Sequence, residues 1–98
     1  MTTKLRQVIG SDNVFRDLGF PEAEAQNLLL RSTLMIQIEK HIARLKLTQA
    51  QAALHAGLTQ PRLNDLLKGK IEKFSLDALV NVAGKLGFAV SVKLKKVA

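Results

Sequence analysis

Residues 47–49 and 58–60 spell the same triplet, Leu-Thr-Gln, and Gly57 stands directly before the second copy. Threonine is a favoured N-cap because its hydroxyl accepts from an N–H of the first helical turn that would otherwise have no partner. Each copy therefore predicts a helix start, and the eleven-residue interval holds one short helix plus a turn rather than a unit of a repeat array. The first helix runs over 49–56 and is rich in alanine, with Ala50, Ala53 and Leu54 offered for close packing. Gly57 follows it, where a left-handed residue commonly ends a helix. Thr59 caps the second helix, which tolerates Pro61 within its first turn, buries Leu63, Leu66 and Leu67, and ends at Gly69.

The totals bound what such a pair can serve. Ninety-eight residues make a single domain with a modest core. The chain has no cysteine, so disulfides, thiolate metal sites and a catalytic thiol are excluded, in keeping with a reducing compartment and a cytoplasmic location. The longest apolar runs, residues 28–30 and 34–36, fall far short of the ~20 residues a bilayer span needs, and the amino end has no signal-peptide core. The expectation is a soluble, unprocessed protein without a membrane partner. Fifteen basic against eight acidic residues give a net charge of +7, a field that favours polyanions. With no Trp or Tyr and four Phe, the chain lacks the stacking platforms of single-strand and RNA binders, which tilts the polyanion toward duplex DNA. No phosphate loop, nucleophile elbow or His-Glu metal motif is present, so the reading is non-enzymatic, with no cofactor and no metal. His41 and His55 lie fourteen residues apart and read as surface or boundary residues rather than ligands.

Along the remainder of the chain, residues 1–11 stay unassigned, and 12–21 predict a compact turn or short helix ended by Gly19. Pro21 suits the first position of a following helix, with Glu22 and Glu24 complementing its positive end. From 22 to 45 the pattern is helical, with Leu28, Met35, Ile38, Ile42 and Leu45 on one stripe. This is one helix or two joined near Arg31, where Ser32 and Thr33 offer an internal start. Ser75 caps a further helix carrying Leu76, Leu79, Val80, Val82, Ala83 and Leu86, with Gly87 as its terminator. Residues 88–94 then alternate Phe88, Val90, Val92 and Leu94 against Ala89, Ser91 and Lys93, the period of a half-buried strand. One strand cannot stand alone in water. It pairs either with its copy across a two-fold axis, making a homodimer whose interface is Phe88, Val90, Val92 and Leu94, or with residues 5–9 of the same chain or its mate. The expected architecture is mainly α, a single domain of about five helices: an extension (1–20), a helical helix-turn-helix core (21–87) and a C-terminal strand (88–94) used in dimerisation.

Two helices joined by about three residues with a glycine, the first one small and alanine-rich, have the outline of a helix-turn-helix. The run Leu47-Thr48-Gln49, Ala52-Ala53, Gly57-Leu58-Thr59-Gln60-Pro61-Arg62-Leu63 and Leu66-Leu67-Lys68-Gly69-Lys70 resembles the helix-turn-helix of the lambda-repressor-like, or XRE, family over residues 32–86. The phrases at 13–20 and 74–79 resemble its HigA-type antitoxin-like regulators, which are often encoded beside a RelE-like toxin. The resemblance implies a lambda-repressor-like fold and a repressor that binds double-stranded DNA at a palindromic operator. It also implies autoregulation of a toxin-antitoxin operon and neutralisation of a RelE-like toxin.

In such a domain the second helix enters the major groove and its N-terminal residues meet base edges. That assigns Thr59, Gln60, Arg62, Asn64 and Asp65 to the DNA face. Gln60 and Arg62 are the expected base readers, since glutamine pairs with adenine and arginine with guanine. Pro61 makes one contact apolar, toward a thymine methyl. Asp65 either accepts from cytosine N4 or pairs with Arg62 or Lys68. Gln49 sits over a phosphate at a helix N-terminus, and Lys68, Lys70 and Lys73 add phosphate contacts. Two other classes compete: an orphan regulator without a toxin, and a protein-interaction module that keeps the helix-turn-helix as scaffold. An RNA-binding reading is separated from these by competition between duplex DNA and structured RNA.

Overall fold

The computed structural model describes residues 13–96. Among them the chain forms α1 (Val14–Asp17), α2 (Glu22–Leu45), α3 (Gln49–Ala56), α4 (Gln60–Leu67), a 3-10 turn (Ile71–Lys73) and α5 (Leu76–Lys85). The proposed pairing partner at residues 5–9 lies outside the described residues. No helix among them is long and apolar enough to cross a membrane.

α1 is a single turn whose N-cap, Asn13, accepts from the Phe15 N–H at 3.0 Å. It is tied to α2 by Arg16, whose Nε and Nη2 donate to the two carboxylate oxygens of Glu22 at 2.6 and 2.9 Å. Gln26 Nε2 adds a third donor at 2.9 Å. The Arg16 bonds first, then Gln26, hold the Glu22 carboxyl down from 4.5 to about 2. Pro21 is the N-cap of α2, one position earlier than its expected place inside the first turn.

Of the two arrangements open for residues 22–45, the structure takes one continuous helix of 24 residues. Thr33 does not cap an internal start. Its hydroxyl donates back to the Leu29 carbonyl at 2.8 Å, a bond compatible with helix interior. The expected stripe holds at Leu28, Met35, Ile38 and Ile42, all buried, and fails at Leu45, which is 50% exposed in the last turn. There Lys46 turns left-handed (φ +54°) and takes the chain away.

The core joins Met35, Ile38 and Ile42 of α2 to Ala52, Ala53 and Ala56 of α3, Leu63 and Leu66 of α4, Phe74, and Leu79, Val82 and Ala83 of α5. Burial of this set supplies the main drive to fold, at roughly 25 cal/mol per Å² of apolar surface. The small α3 packs through alanines, so its neighbours approach closely. Here the sequence expectation is corrected: Ala52, Ala53 and Ala56 face inward, whereas Leu54 is 82% exposed and Ala50 is exposed. In an eight-residue helix with five alanine or leucine positions, apolar content alone does not choose the face.

The expected strand at 88–94 is not formed. Residues 88–96 contain neither helix nor strand. A ladder needs a second row of backbone groups, and none of the described residues supplies one: after the Phe88 N–H, which donates to Ala83 O at 2.9 Å, no described backbone pair continues into this segment.

Candidate nucleic-acid interface

The doubled triplet gives two caps of unequal construction. Thr48 Oγ1 accepts from the Gln51 N–H at 3.2 Å, while Gln51 Oε1 accepts from the Thr48 N–H at 3.1 Å. This reciprocal pair is a capping box, legible as Thr-x-x-Gln. Thr59 Oγ1 accepts from the Arg62 N–H at 3.3 Å, and Pro61 occupies the first turn, where a missing N–H costs nothing.

Between the two caps the chain reverses at Gly57. Its φ of +70° is a left-handed conformation that L side chains adopt at a cost. The Gly57 N–H donates to Leu54 O at 3.2 Å and the Leu58 N–H to Ala53 O at 2.9 Å, the paired bonds of a Schellman turn. α4 thus starts three residues after the reversal, with Leu63 and Leu66 buried against the core. Thr59, Gln60 and Pro61 are left exposed at its N-terminus.

The other expected contact residues distribute as follows. Arg62, Asn64 and Asp65 are half-buried along α4, and Lys68 is exposed at its C-cap. Asp65 pairs with neither Arg62 nor Lys68; its partner is Lys70, at 3.4 Å. Lys73 is exposed in the 3-10 turn. Gln49 is exposed in the first turn of α3, where it helps line a small cavity of about 190 Å³ with Lys46 and Leu67.

Arg62 takes a position the sequence did not announce. Its guanidinium carbon lies 4.1 Å from the centre of the Phe74 ring, and Nη1 donates to the Lys73 carbonyl at 2.6 Å. A second arginine holds the same segment from α2: Arg31 Nη1 donates to the carbonyls of Ile71 at 3.1 Å and Phe74 at 3.3 Å. Asn27 fixes Arg31 Nε at 2.7 Å. The segment 71–74, which carries Lys73 beside α4, is therefore braced by one arginine from α2 and one from α4. Arg31 had no local signal, since its partners lie 40 and 43 residues away.

At the carboxyl end, Phe88 stacks on His41 with ring centres 4.0 Å apart. Val90 is half-buried against the core, whereas Val92 and Leu94 are 65% and 99% exposed. Between this segment, α2 and α5 lies an open groove of about 370 Å³, with Leu30, Leu34, Val80 and Phe88 among its walls.

A family model described as a helix-turn-helix domain matches residues 14–95, which takes in every described element and the segment after α5. No curated protein matches the chain.

Proposed function

This chain belongs to the helix-turn-helix domain family, and from that premise we propose that it is a sequence-specific repressor that binds double-stranded DNA. The carrying observation is the first turn of α4, where Thr59, Gln60 and Pro61 are exposed at a helix N-terminus while Leu63 and Leu66 behind them are 0% and 1% exposed. A helix held so firmly on one side and bare at its N-terminus is built to present that end to a groove. Gln60 reads an adenine edge, Asn64 stands on the following turn, and Pro61 meets a thymine methyl. Arg62 serves from its brace by holding Lys73 and Phe74 beside α4. Thr59, Gln49, Lys68, Lys70 and Lys73 supply the phosphate contacts, backed by the net charge of +7.

In this reading the protein is a cytoplasmic homodimer on a palindromic operator with half-sites about 34 Å apart. The likeness of residues 13–20 and 74–79 to HigA-type antitoxins adds autoregulation of a toxin-antitoxin operon and neutralisation of a RelE-like toxin. The test is competition at fixed salt between the duplex upstream of the coding region and a structured RNA of equal length. Preference for the duplex is expected. Equal competition by RNA, or no binding to either, contradicts the reading, and the second outcome favours a scaffold that binds protein. A RelE-like neighbour that co-purifies with the chain supports the antitoxin role, and its absence leaves an orphan regulator.

A further inference from the structure

Among the described residues five have a positive φ, and four of them are glycines: Gly19, Gly57, Gly69 and Gly87. The fifth is Lys46, at φ +54° and ψ +37°, where α2 ends and the chain turns toward α3. A residue with a Cβ occupies this region at a cost that glycine does not bear. At this one turn the chain keeps a lysine.

Reversal of the chain does not account for the choice, because glycine performs it at Gly57 and Gly69 in the same molecule. Nor does the charge at the end of α2. A cation is favourable near a helix C-terminus, but Arg44 already stands exposed in the last turn. No carboxylate of the described residues lies within ion-pair distance of the Lys46 ammonium, whereas Lys70 is taken by Asp65 at 3.4 Å. Lys46 therefore presents an exposed, unneutralised charge. It does so on the wall of the 190 Å³ hollow that Gln49 of α3 and Leu63 and Leu67 of α4 also line. Glu39 of α2 lines the same hollow, beyond ion-pair distance of that ammonium.

We infer that Lys46 is a phosphate contact of the proposed DNA complex, and that its left-handed backbone is retained because the contact needs a lysine side chain at the junction of α2 and α3. The inference rests on the duplex-binding reading and adds a residue that lies outside the helix-turn-helix pair. Lys46 stands two residues before the Thr48 cap and shares its hollow with Gln49, so a DNA strand passing Gln49 runs within reach of the lysine stem. Strained backbone is kept where a side chain has work at that place. A phosphate contact carries no sequence information, so it raises the affinity for every duplex alike.

Lys46→Gly in the full-length chain removes the ammonium and relaxes the turn. The urea midpoint is expected to hold or rise, because relief of the left-handed lysine offsets the larger entropy glycine loses on folding. Affinities for the duplex upstream of the coding region and for a scrambled duplex of equal length are expected to fall together, roughly fivefold to tenfold at ~0.1 M salt, and the slope of log affinity against log salt should become shallower by about 0.9. Lys46→Arg keeps the charge and should keep the wild-type slope. Unchanged stability or a gain, paired with weaker binding, is a result that a purely structural lysine does not give. An unchanged salt slope in folded Lys46→Gly overturns the inference and leaves the duplex-binding reading standing. A loss confined to the upstream duplex overturns it as well, since that is the mark of base reading. A midpoint that falls while both affinities hold makes Lys46 the cap of α2 and nothing more. Wild-type protein that binds neither duplex overturns the reading and the inference with it.

Discussion

Arg62 lays its guanidinium 4.1 Å from the ring centre of Phe74 and bonds the adjacent Lys73 carbonyl at 2.6 Å, so a side chain of α4, the helix proposed to enter the groove, is a structural strut. Phe74 itself is 1% exposed. The strut couples α4 to the segment that leads into α5, and Arg31 holds that segment from α2.

Replacing Arg62 by Ala is expected to cost about 1–2 kcal/mol in urea unfolding, combining a cation–π contact with a charged hydrogen bond that is partly screened at a half-buried site. Lysine at 62 recovers less than half, because an ammonium lacks the flat face and the fork. Arg31→Ala is expected to cost a similar amount. Since both arginines hold one segment, the double variant loses a different amount from the sum of the singles, with a coupling above about 0.5 kcal/mol. Strict additivity would show that they act on separate elements.

Gly57→Ala is expected to destabilise by about 1–2 kcal/mol, the cost of a left-handed conformation with a Cβ. A Cβ there also meets the Lys85 side chain at 2.6 Å, a flexible end that shifts aside, so the backbone term dominates. Gly57→Asn should lose less than Gly57→Ala, because asparagine tolerates that region. Equal losses in urea midpoint for the two variants would point to side-chain crowding as the cause instead.

The Arg16 and Glu22 pair sets an acid limb. The Glu22 carboxyl titrates near 2 in the folded chain against an ordinary 4.5, chiefly through its bonds from Arg16 and then Gln26. A lowered folded value means the stabilisation is complete above the ordinary value and is lost as pH falls from 4.5 toward 2. Glu22→Gln should flatten the stability profile in that window and leave it unchanged at neutral pH apart from a constant offset. Because the pair is exposed, high salt should shrink the difference. A variant profile parallel to wild type across the window would remove Glu22 as its source.

Those parts of the fold that depend on local chemistry were legible in the sequence. Thr48, Thr59 and Ser75 each cap the helix they precede, because capping is settled within three residues. Gly57 ends α3 for the same reason. What failed depended on partners far along the chain or outside it. Leu54 looked like core, yet in an alanine-rich helix the inward face is chosen by the neighbouring helices, and they chose Ala52, Ala53 and Ala56. The alternation at 88–94 identified two faces without supplying a mate. Arg62 was legible as a residue of the second helix of the pair, but its attachment to Phe74 and Lys73 requires the chain to return twelve residues later. Under the proposed function that attachment moves the burden of base reading to Gln60, whose side chain carries no structural bond among the described residues.

The central claim is that the exposed first turn of α4 reads sequence, and it is tested most directly by the ratio of affinities for the operator duplex and a scrambled duplex of equal length. Wild type is expected to show a large ratio, and Gln60→Ala, which leaves the core untouched, should lower it by about 1–3 kcal/mol with the scrambled affinity unchanged. An unchanged ratio in a fully folded Gln60→Ala protein would contradict the assignment of that turn to the major groove.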